Sequence, residues 1–152
     1  MDVSSFFDYP TPQAEDAAVS GFLDQADERE WDTLLAAMQT VMLRAGETVF
    51  TEGQTDRALY LLTEGRLEVS APGVVPMTVA APPAQVLNEI AFLDGGSCAV
   101  TARASADARV LRLSFDVFEA LGAREPQLAG RISFDLARML AQRLRRGSGT
   151  RA

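Results

Sequence analysis

The chain has 152 residues, 47% of them apolar, which is enough for one domain with its own core. A formal net charge of −7 argues against a nucleic-acid surface over the whole chain, and the absence of histidine removes the commonest general base and metal ligand. The apolar runs are shorter than the ~20 residues that cross a bilayer, the first residues carry no secretory signal pattern, and the single cysteine, Cys98, cannot form an internal disulfide. We therefore expect a cytoplasmic protein without membrane contact.

Residues 1–20 are polar and acidic with a few aromatic side chains, and they are predicted to form an N-terminal tail. The pattern does not decide whether this tail is loose or docks on the domain or on a partner. Asp27 and Glu30 then form a capping-box pattern at the start of a helix predicted over residues 27–40. Its helically spaced apolar residues are expected to face the core: Trp31, Leu34, Leu35 and Met38.

Short β-rich runs separated by glycines occupy residues 41–113, which favours an antiparallel sandwich, barrel or jelly roll. We predict eight strands, seven of which are visible as runs: Val41–Leu43, Thr48–Phe50, Leu59–Leu62, Leu67–Val69, Val74–Val79, Cys98–Ala104 and Arg109–Leu113. Ala71-Pro72-Gly73 is typical of a hairpin loop. The two prolines of residues 80–84 argue against a central strand there. Three aspartates are interpreted as loop or cap residues: Asp56, Asp94 and Asp107.

Helical patterns return after residue 113. Ser114 is a predicted cap for a helix over residues 114–121 that ends at Gly122, and Pro126 opens a longer helix over 125–146. The longer helix has an apolar stripe and several arginines near its end, including Arg143, where cations suit the helix dipole. The stripe consists of Leu128, Ile132, Leu136, Leu140 and Leu144. Gly147-Ser148-Gly149 is predicted to stop this helix, which leaves 147–152 as a C-terminal tail and 21–146 as the domain.

Residues 22–145 resemble the cyclic-nucleotide-binding domain of catabolite-activator-type regulators, cyclic-nucleotide-gated channels and cyclic-nucleotide-dependent kinases. The resemblance is carried by motifs in the family's order: Ala45-Gly46-Glu47, Phe50-Thr51-Glu52-Gly53, the run from Ala58 to Val69, Glu89-Ile90-Ala91, Thr101-x-Arg103-Ala104 and Val110-Leu111-x-Leu113. It implies a mainly β fold, a double-stranded β-helix or jelly roll (the β-roll), with flanking N- and C-terminal helices.

The resemblance also implies a phosphate-binding cassette over residues 88–101, whose candidate ligand-binding residues are Asn88, Glu89, Ile90, Ala91, Ser97, Cys98 and Ala99. In the family the glutamate accepts hydrogen bonds from the ribose 2′-hydroxyl, helix-start amides face the cyclic phosphate, and an arginine pairs with its oxygens. Here Asn88 falls where the family has glycine, and Ser97 and Cys98 fall where it has proline and arginine. The approach loop departs as well, with Ala84 at a second family glycine.

The missing arginine is expected to weaken a cyclic phosphate's binding by one to three decades or more, because a lost partner of a buried charge pair costs ~2–5 kcal/mol. Arg103 is the nearest substitute, but on an alternating strand it faces away from Cys98. Glu89 is either a retained ligand contact or a cap of the short helix, and Ser97 is a turn residue or an anion donor. Cys98 is a small filler or a reactive thiol of lowered pKa.

These observations leave several functions open. The first is a non-enzymatic regulatory module whose cyclic nucleotide binding is weak or lost. The alternatives are a working cyclic AMP or cyclic GMP sensor and a purely structural dimerisation or protein-interaction module. An enzyme is not expected, because no nucleophile motif, P-loop or metal-ligand spacing is present. No cofactor is predicted apart from a possible cyclic nucleotide.

We expect a protein partner or a homodimer formed through the 125–146 helix. No nucleic-acid partner is expected, because the catabolite-activator family's helix-turn-helix would follow that helix and this sequence ends at Ala152.

Overall fold

The structure is a computed structural model that describes residues 22–149, with side chains described as far as Arg146. The predicted tail over residues 1–20 lies outside this range. The elements in chain order are α1 (Glu28–Ala37), β1 (Gln39–Leu43), β2 (Thr48–Phe50), β3 (Ala58–Ala71), β4 (Val74–Ala81), β5 (Gln85–Leu87), α2 (Glu89–Asp94), β6 (Thr101–Ala104), β7 (Ala108–Ser114), α3 (Phe115–Arg124) and α4 (Pro126–Gly149).

The strands form an antiparallel β-roll whose central member is β3. Its first half pairs with β7 and β5, and β7 pairs in turn with β1, which gives one sheet. Its second half pairs with β4 and β6, and β6 pairs with β2, which gives the other. The predicted mainly β fold with flanking helices is confirmed.

The prediction of eight strands is wrong for the described residues, which contain seven. The runs Leu59–Leu62 and Leu67–Val69 belong to the single strand β3, which passes through Gly65 without ending. Gly65 adopts a φ of +91°, and a Cβ there would lie 2.2 Å from the carbonyl oxygen of Asp107. β5 begins at Gln85, two residues after Pro83, and Cys98 precedes β6 instead of opening it.

The sequence signals predict where the helices begin better than where they end. The Asp27–Glu30 capping box is present, and the Ser114 hydroxyl accepts a hydrogen bond from the amide of Val117 at 3.3 Å. Helix α3 continues past Gly122 to Arg124, and α4 continues through Gly149, so glycine ends neither helix where predicted. Leu35, expected in the core, is 44% exposed.

Two apolar cores hold the fold together. One fills the roll and includes Phe50, Tyr60 and Cys98. The other lies between the β1–β7–β3–β5 sheet and the helices, and it includes Phe92 of α2. The α4 residues in this second core are Leu128, Ile132, Leu136 and Met139. Leu128, Ile132 and Leu136 of the predicted apolar stripe are therefore buried within the chain, which leaves little of the stripe for a dimer contact.

Candidate functional site

The cassette begins with Asn88, which makes the turn from β5 into α2. Its backbone is left-handed, with φ 67° and ψ 22°, a conformation that asparagine adopts more readily than most non-glycine residues. Its buried side-chain amide donates to the carbonyl oxygens of Asp56 at 3.0 Å and Ala58 at 2.8 Å. The asparagine therefore keeps a backbone path that usually favours glycine, and it fastens the cassette to the start of β3.

Glu89, the first residue of α2, is completely buried and forms an ion pair with Arg143 of α4. Arg143 is 2% exposed, so the pair lies in the interior. The second carboxylate oxygen of Glu89, Oε2, is buried and has no hydrogen-bond partner among the described residues. Because an ionised carboxylate only accepts hydrogen bonds, this oxygen lacks the donor that it needs.

Arg143 is a residue of this candidate site that sequence analysis missed, because it was interpreted as a cation suited to the helix C-terminus. A local signal was present in the sequence. Arg143 lies four residues after Met139, on the face of α4 that carries the buried residues Leu128, Ile132 and Leu136. A charged residue that continues a core stripe indicates a buried partner of opposite charge.

Cys98, at the position where the resemblance places an arginine, lies in the roll core with 1% of its surface exposed. Its thiol donates a long hydrogen bond of 4.0 Å to the carbonyl oxygen of Asp56, the same oxygen that Asn88 contacts. Burial raises the pKa of the Cys98 thiol, and the Asp56 carboxylate raises it further. Of the two alternatives for Cys98, its burial and raised pKa favour the small buried filler over the reactive thiol of lowered pKa.

The remaining candidate residues differ in their access to solvent. Ser97 is exposed, Ile90 and Ala99 are half-buried, and Ala91 is 1% exposed. The structure brings Asn88 and Cys98 together at the Asp56 carbonyl, whereas Glu89 contacts α4. The assignment of the seven residues to ligand binding stays a prediction.

Asp56 does not serve as a simple loop residue. Its carboxylate accepts hydrogen bonds from the Tyr60 hydroxyl at 2.5 Å and from Arg112 Nη2 at 2.7 Å. Arg112 Nε also donates to the Tyr60 oxygen at 3.2 Å, which closes a three-residue network beside Cys98. Asp94 and Asp107 do act as predicted, since their carboxylates accept from the backbone amides of Gly96 and Ala45.

This network predicts a loss of stability at alkaline pH. Burial, and then the hydrogen bond to Asp56, raise the pKa of Tyr60 from 10.0 to about 12. Near pH 10 the phenol of Tyr60 loses its proton in the unfolded chain but keeps it in the folded chain. The contribution of Tyr60 to the free energy of unfolding is therefore fully present below pH 10 and is lost as the pH rises towards 12. The loss should reach about 3 kcal/mol, measured by urea unfolding at several pH values. The variant Tyr60→Phe should lack this component, and parallel pH curves for the two proteins would contradict the prediction.

The neighbouring arginines have protein partners. Arg103 is exposed on β6 and its Nε donates to the carbonyl oxygen of Gly46 at 2.9 Å, whereas Cys98 precedes this strand and is buried. Arg57 donates to the carbonyl oxygens of Phe92 and Leu93, at 2.9 Å and 3.0 Å, near the end of α2, and its guanidinium lies over the Phe115 ring. Arg57 therefore ties α2 to α3.

Within the described residues, no group of three or more acidic, cysteine or histidine side chains is placed to hold a metal ion. The helices of the same part of the chain include none that is long and apolar enough to cross a membrane.

Known proteins with similar sequences contain the same type of domain. The sequence model of the cyclic nucleotide-binding domain matches residues 40–125. The cyclic AMP receptor protein of Thermus thermophilus is 31% identical over 119 residues, which are 76% of this chain and 53% of that protein. A patatin-like phospholipase domain-containing protein of Pongo abelii is 32% identical over 100 residues, 59% of this chain and 7% of that protein.

Among solved structures, the Thermus thermophilus catabolite activator protein superposes with a TM-score of 0.71 at 28% identity, covering 84% of this chain and 59% of that one. The chain thus spans about half the length of the regulators that it resembles. The family model covers more than half of the chain and includes the roll and the cassette. The chain belongs to the cyclic nucleotide-binding domain family.

Proposed function

We propose that the chain is a non-enzymatic regulatory module in which the state of the cassette is passed to α4 through the Glu89–Arg143 pair, and in which cyclic nucleotides bind weakly. The observation that carries the proposal is this buried pair. It joins the first residue of the cassette helix to a residue 54 positions later, near the end of α4. The buried α4 residues of the second apolar core, the one between the sheet and the helices, precede Arg143 in the sequence. The ion pair therefore adds a contact between α4 and the rest of the domain nearer the end of this helix.

Weak cyclic nucleotide binding is supported by the site's charges. Cys98 is uncharged and buried, and Arg103 is turned towards Gly46. A phosphate at the cassette would therefore depend on backbone amides without the charge-assisted pair that an arginine provides.

A titration with cyclic AMP and cyclic GMP tests the proposal. We expect calorimetric dissociation constants above ~1 µM. Hydrogen exchange should show a change at residues 139–146 of α4 when ligand is added at millimolar concentration. This change should shrink in Arg143→Gln and persist in the matched control Arg145→Gln, whose side chain is exposed on the same helix. Submicromolar binding would favour the working-sensor alternative, and no binding at millimolar ligand would favour the interaction module.

A homodimer through α4 is a separate proposal, supported by the exposed face of that helix. Phe134 is 70% exposed. It shares this face with Gly130, Ala137 and Ala141, three small exposed residues at helical spacing. A large apolar side chain among small residues suits close helix packing against a second copy. The net charge of −7 favours a protein partner over a nucleic acid. A cytoplasmic location is also part of the proposal.

We expect Phe134→Glu to abolish the dimer, because a carboxylate at the centre of the seam would lose its hydration. Light scattering should give the mass of a dimer for the native protein and of a monomer for the variant. Gln127→Glu, also exposed on α4, is the control and should remain dimeric. A native monomer, or a Phe134→Glu dimer, would contradict this assembly.

A further inference from the structure

We infer that Arg57 is a positioning residue that links the end of the cassette helix α2 to the start of α3, and that this link acts separately from the Glu89–Arg143 pair. The inference rests on the proposed function, because it names a second route by which the state of the cassette reaches the C-terminal helices. It follows from three features of the described residues: the contacts of Arg57, the two ends at which α2 is held, and the place where α3 and α4 meet.

The first feature is the set of contacts that the Arg57 side chain makes. Its Nε and Nη2 donate to the carbonyl oxygens of Phe92 and Leu93, at 2.9 Å and 3.0 Å. These carbonyls belong to the last turn of α2, where carbonyl oxygens lack an amide donor from the same helix. The guanidinium carbon also lies 3.4 Å from the centre of the ring of Phe115, the first residue of α3. One planar group therefore bonds the end of one helix and covers the beginning of the next.

The backbone of Arg57 adds a further contact to the same helix. Its carbonyl oxygen accepts a hydrogen bond from the amide of Phe115 at 2.9 Å. Phe92 and Phe115 also form an edge-to-face aromatic pair, with ring centres 5.6 Å apart. Such pairs are stable over ring separations of about 4.5–7 Å, whereas hydrogen bonds weaken steeply when they bend. We therefore expect Arg57 to set the position of α3 relative to α2 more strictly than the rings do.

The second feature is that different arginines hold α2 at its two ends. Glu89, its first residue, pairs with Arg143 near the end of α4, whereas Arg57 bonds carbonyls near its last residue, Asp94. At about 3.6 residues per turn, Glu89 and Leu93 lie on successive turns of this short helix. A shift or rotation of α2 therefore acts on α3 and on α4 at different points.

The third feature is the length of α4 between its contact with α3 and its contact with the cassette. The two helices approach each other at Gly122 and Ala129, where a Cβ on the glycine would lie 3.4 Å from the Ala129 Cβ. At about 1.5 Å per residue, Arg143 lies roughly 20 Å further along α4. Phe115 lies about two turns before Gly122 in α3. The start of α3 and the end of α4 are thus remote from this close approach, and we expect each to respond separately.

Amide hydrogen exchange of the full chain without ligand is the first test. Arg57→Gln removes the charged fork, and it should raise exchange rates at residues 115–121 about tenfold while rates at residues 139–146 change less than about twofold. Arg143→Gln should produce the opposite pattern. The control Arg66→Gln, exposed on β3, should alter neither region by more than about twofold. Equal effects of Arg57→Gln on both regions, or no effect at residues 115–121, would overturn the inference.

Exchange with cyclic AMP at millimolar concentration tests the same link in the liganded chain. The ligand should change exchange at both regions of the native protein. Arg57→Gln should remove most of the change at residues 115–121 and keep the change at 139–146, and Arg143→Gln should do the reverse. If either variant removes both changes, the helices share one route, which overturns the inference and leaves the proposed function standing. If the ligand changes neither region of the native protein, the ligand-dependent part of the proposed function fails and the second route fails with it.

Arg57→Lys distinguishes positioning from charge. Lysine keeps a cation near the end of α2 but lacks the planar fork that bonds both carbonyls and covers the Phe115 ring. Exchange rates at residues 115–121 should therefore stay raised by about fivefold or more. Native rates in Arg57→Lys would show that attraction to the helix end is sufficient, and Arg57 would then not be a positioning residue. If circular dichroism shows that Arg57→Gln does not fold, Phe115→Leu takes its place in both measurements with the same expected pattern.

Discussion

Replacement of Arg143 by methionine is expected to lower the free energy of unfolding by about 3–5 kcal/mol, because it leaves the Glu89 carboxylate buried without its cation. Glu89 is 0% exposed and Arg143 is 2% exposed, so solvent cannot compensate in the folded chain. Urea unfolding followed by circular dichroism measures the change. The matched control is Arg145→Met, two residues away and exposed, for which a change within about 0.5 kcal/mol is expected.

The double variant Glu89→Gln with Arg143→Met distinguishes two contributions to this loss: the unpaired charge of Glu89 and the lost packing of the arginine side chain. It should recover a large part of the stability, because no unpaired charge remains buried. If Arg143→Met alone costs less than about 1 kcal/mol, the pair does not fasten α4 to the cassette, and the proposed route from cassette to helix loses its basis.

Gly65→Ala should be the most disruptive conservative change in the roll. The new Cβ would lie 2.2 Å from the Asp107 carbonyl oxygen and 2.7 Å from Ala108 Cα, and Gly65 already has a φ of +91° that disfavours a side chain. Because both neighbours are backbone atoms, the two strands must separate to make room. We expect a loss of more than about 4 kcal/mol, or failure to fold, in the same urea experiment.

Gly73→Ala provides the comparison for Gly65→Ala. Gly73 also has a positive φ, +74°, but nothing lies within 4 Å of a Cβ built there. Its cost should therefore be limited to the backbone term of about 1–2 kcal/mol. Similar losses for the two variants would show that the close approach to Asp107 is not what requires glycine at position 65.

The overall fold was predictable because its signals are local. Glycine-punctuated strands, the Asp27–Glu30 capping box and the Ser114 cap depend on residues within a few positions of one another. The continuity of β3 was not predictable in this way. Gly65 resembles a turn residue in the sequence, and its role is set by Asp107 on another part of the chain. β5 was missed because Pro82 and Pro83 weaken the strand pattern immediately before it.

The candidate site was predictable only in its cassette. The positions of Asn88, Glu89 and Cys98 follow from the sequence motif, whereas the partners that determine their chemistry are distant. Arg143 lies 54 residues from Glu89, and Arg112 lies 56 residues from Asp56. Side-chain pairing over such separations is fixed by the packing of strands and helices, so the residue types near the motif carry no direct signal of it. The position of Arg143 on the buried stripe of α4 was the one usable indication.

The path of β3 has a consequence for how the roll unfolds. Because its residues from Ala58 to Glu64 pair in one sheet and those from Gly65 to Ala71 pair in the other, one continuous strand connects the two sheets. The two sheets should therefore open as a single cooperative unit. A ligand that stabilises the cassette would slow amide exchange as far away as the Pro72–Gly73 hairpin, at the opposite end of β3 from Asp56. That hairpin could then report occupancy of the cassette without contacting the ligand.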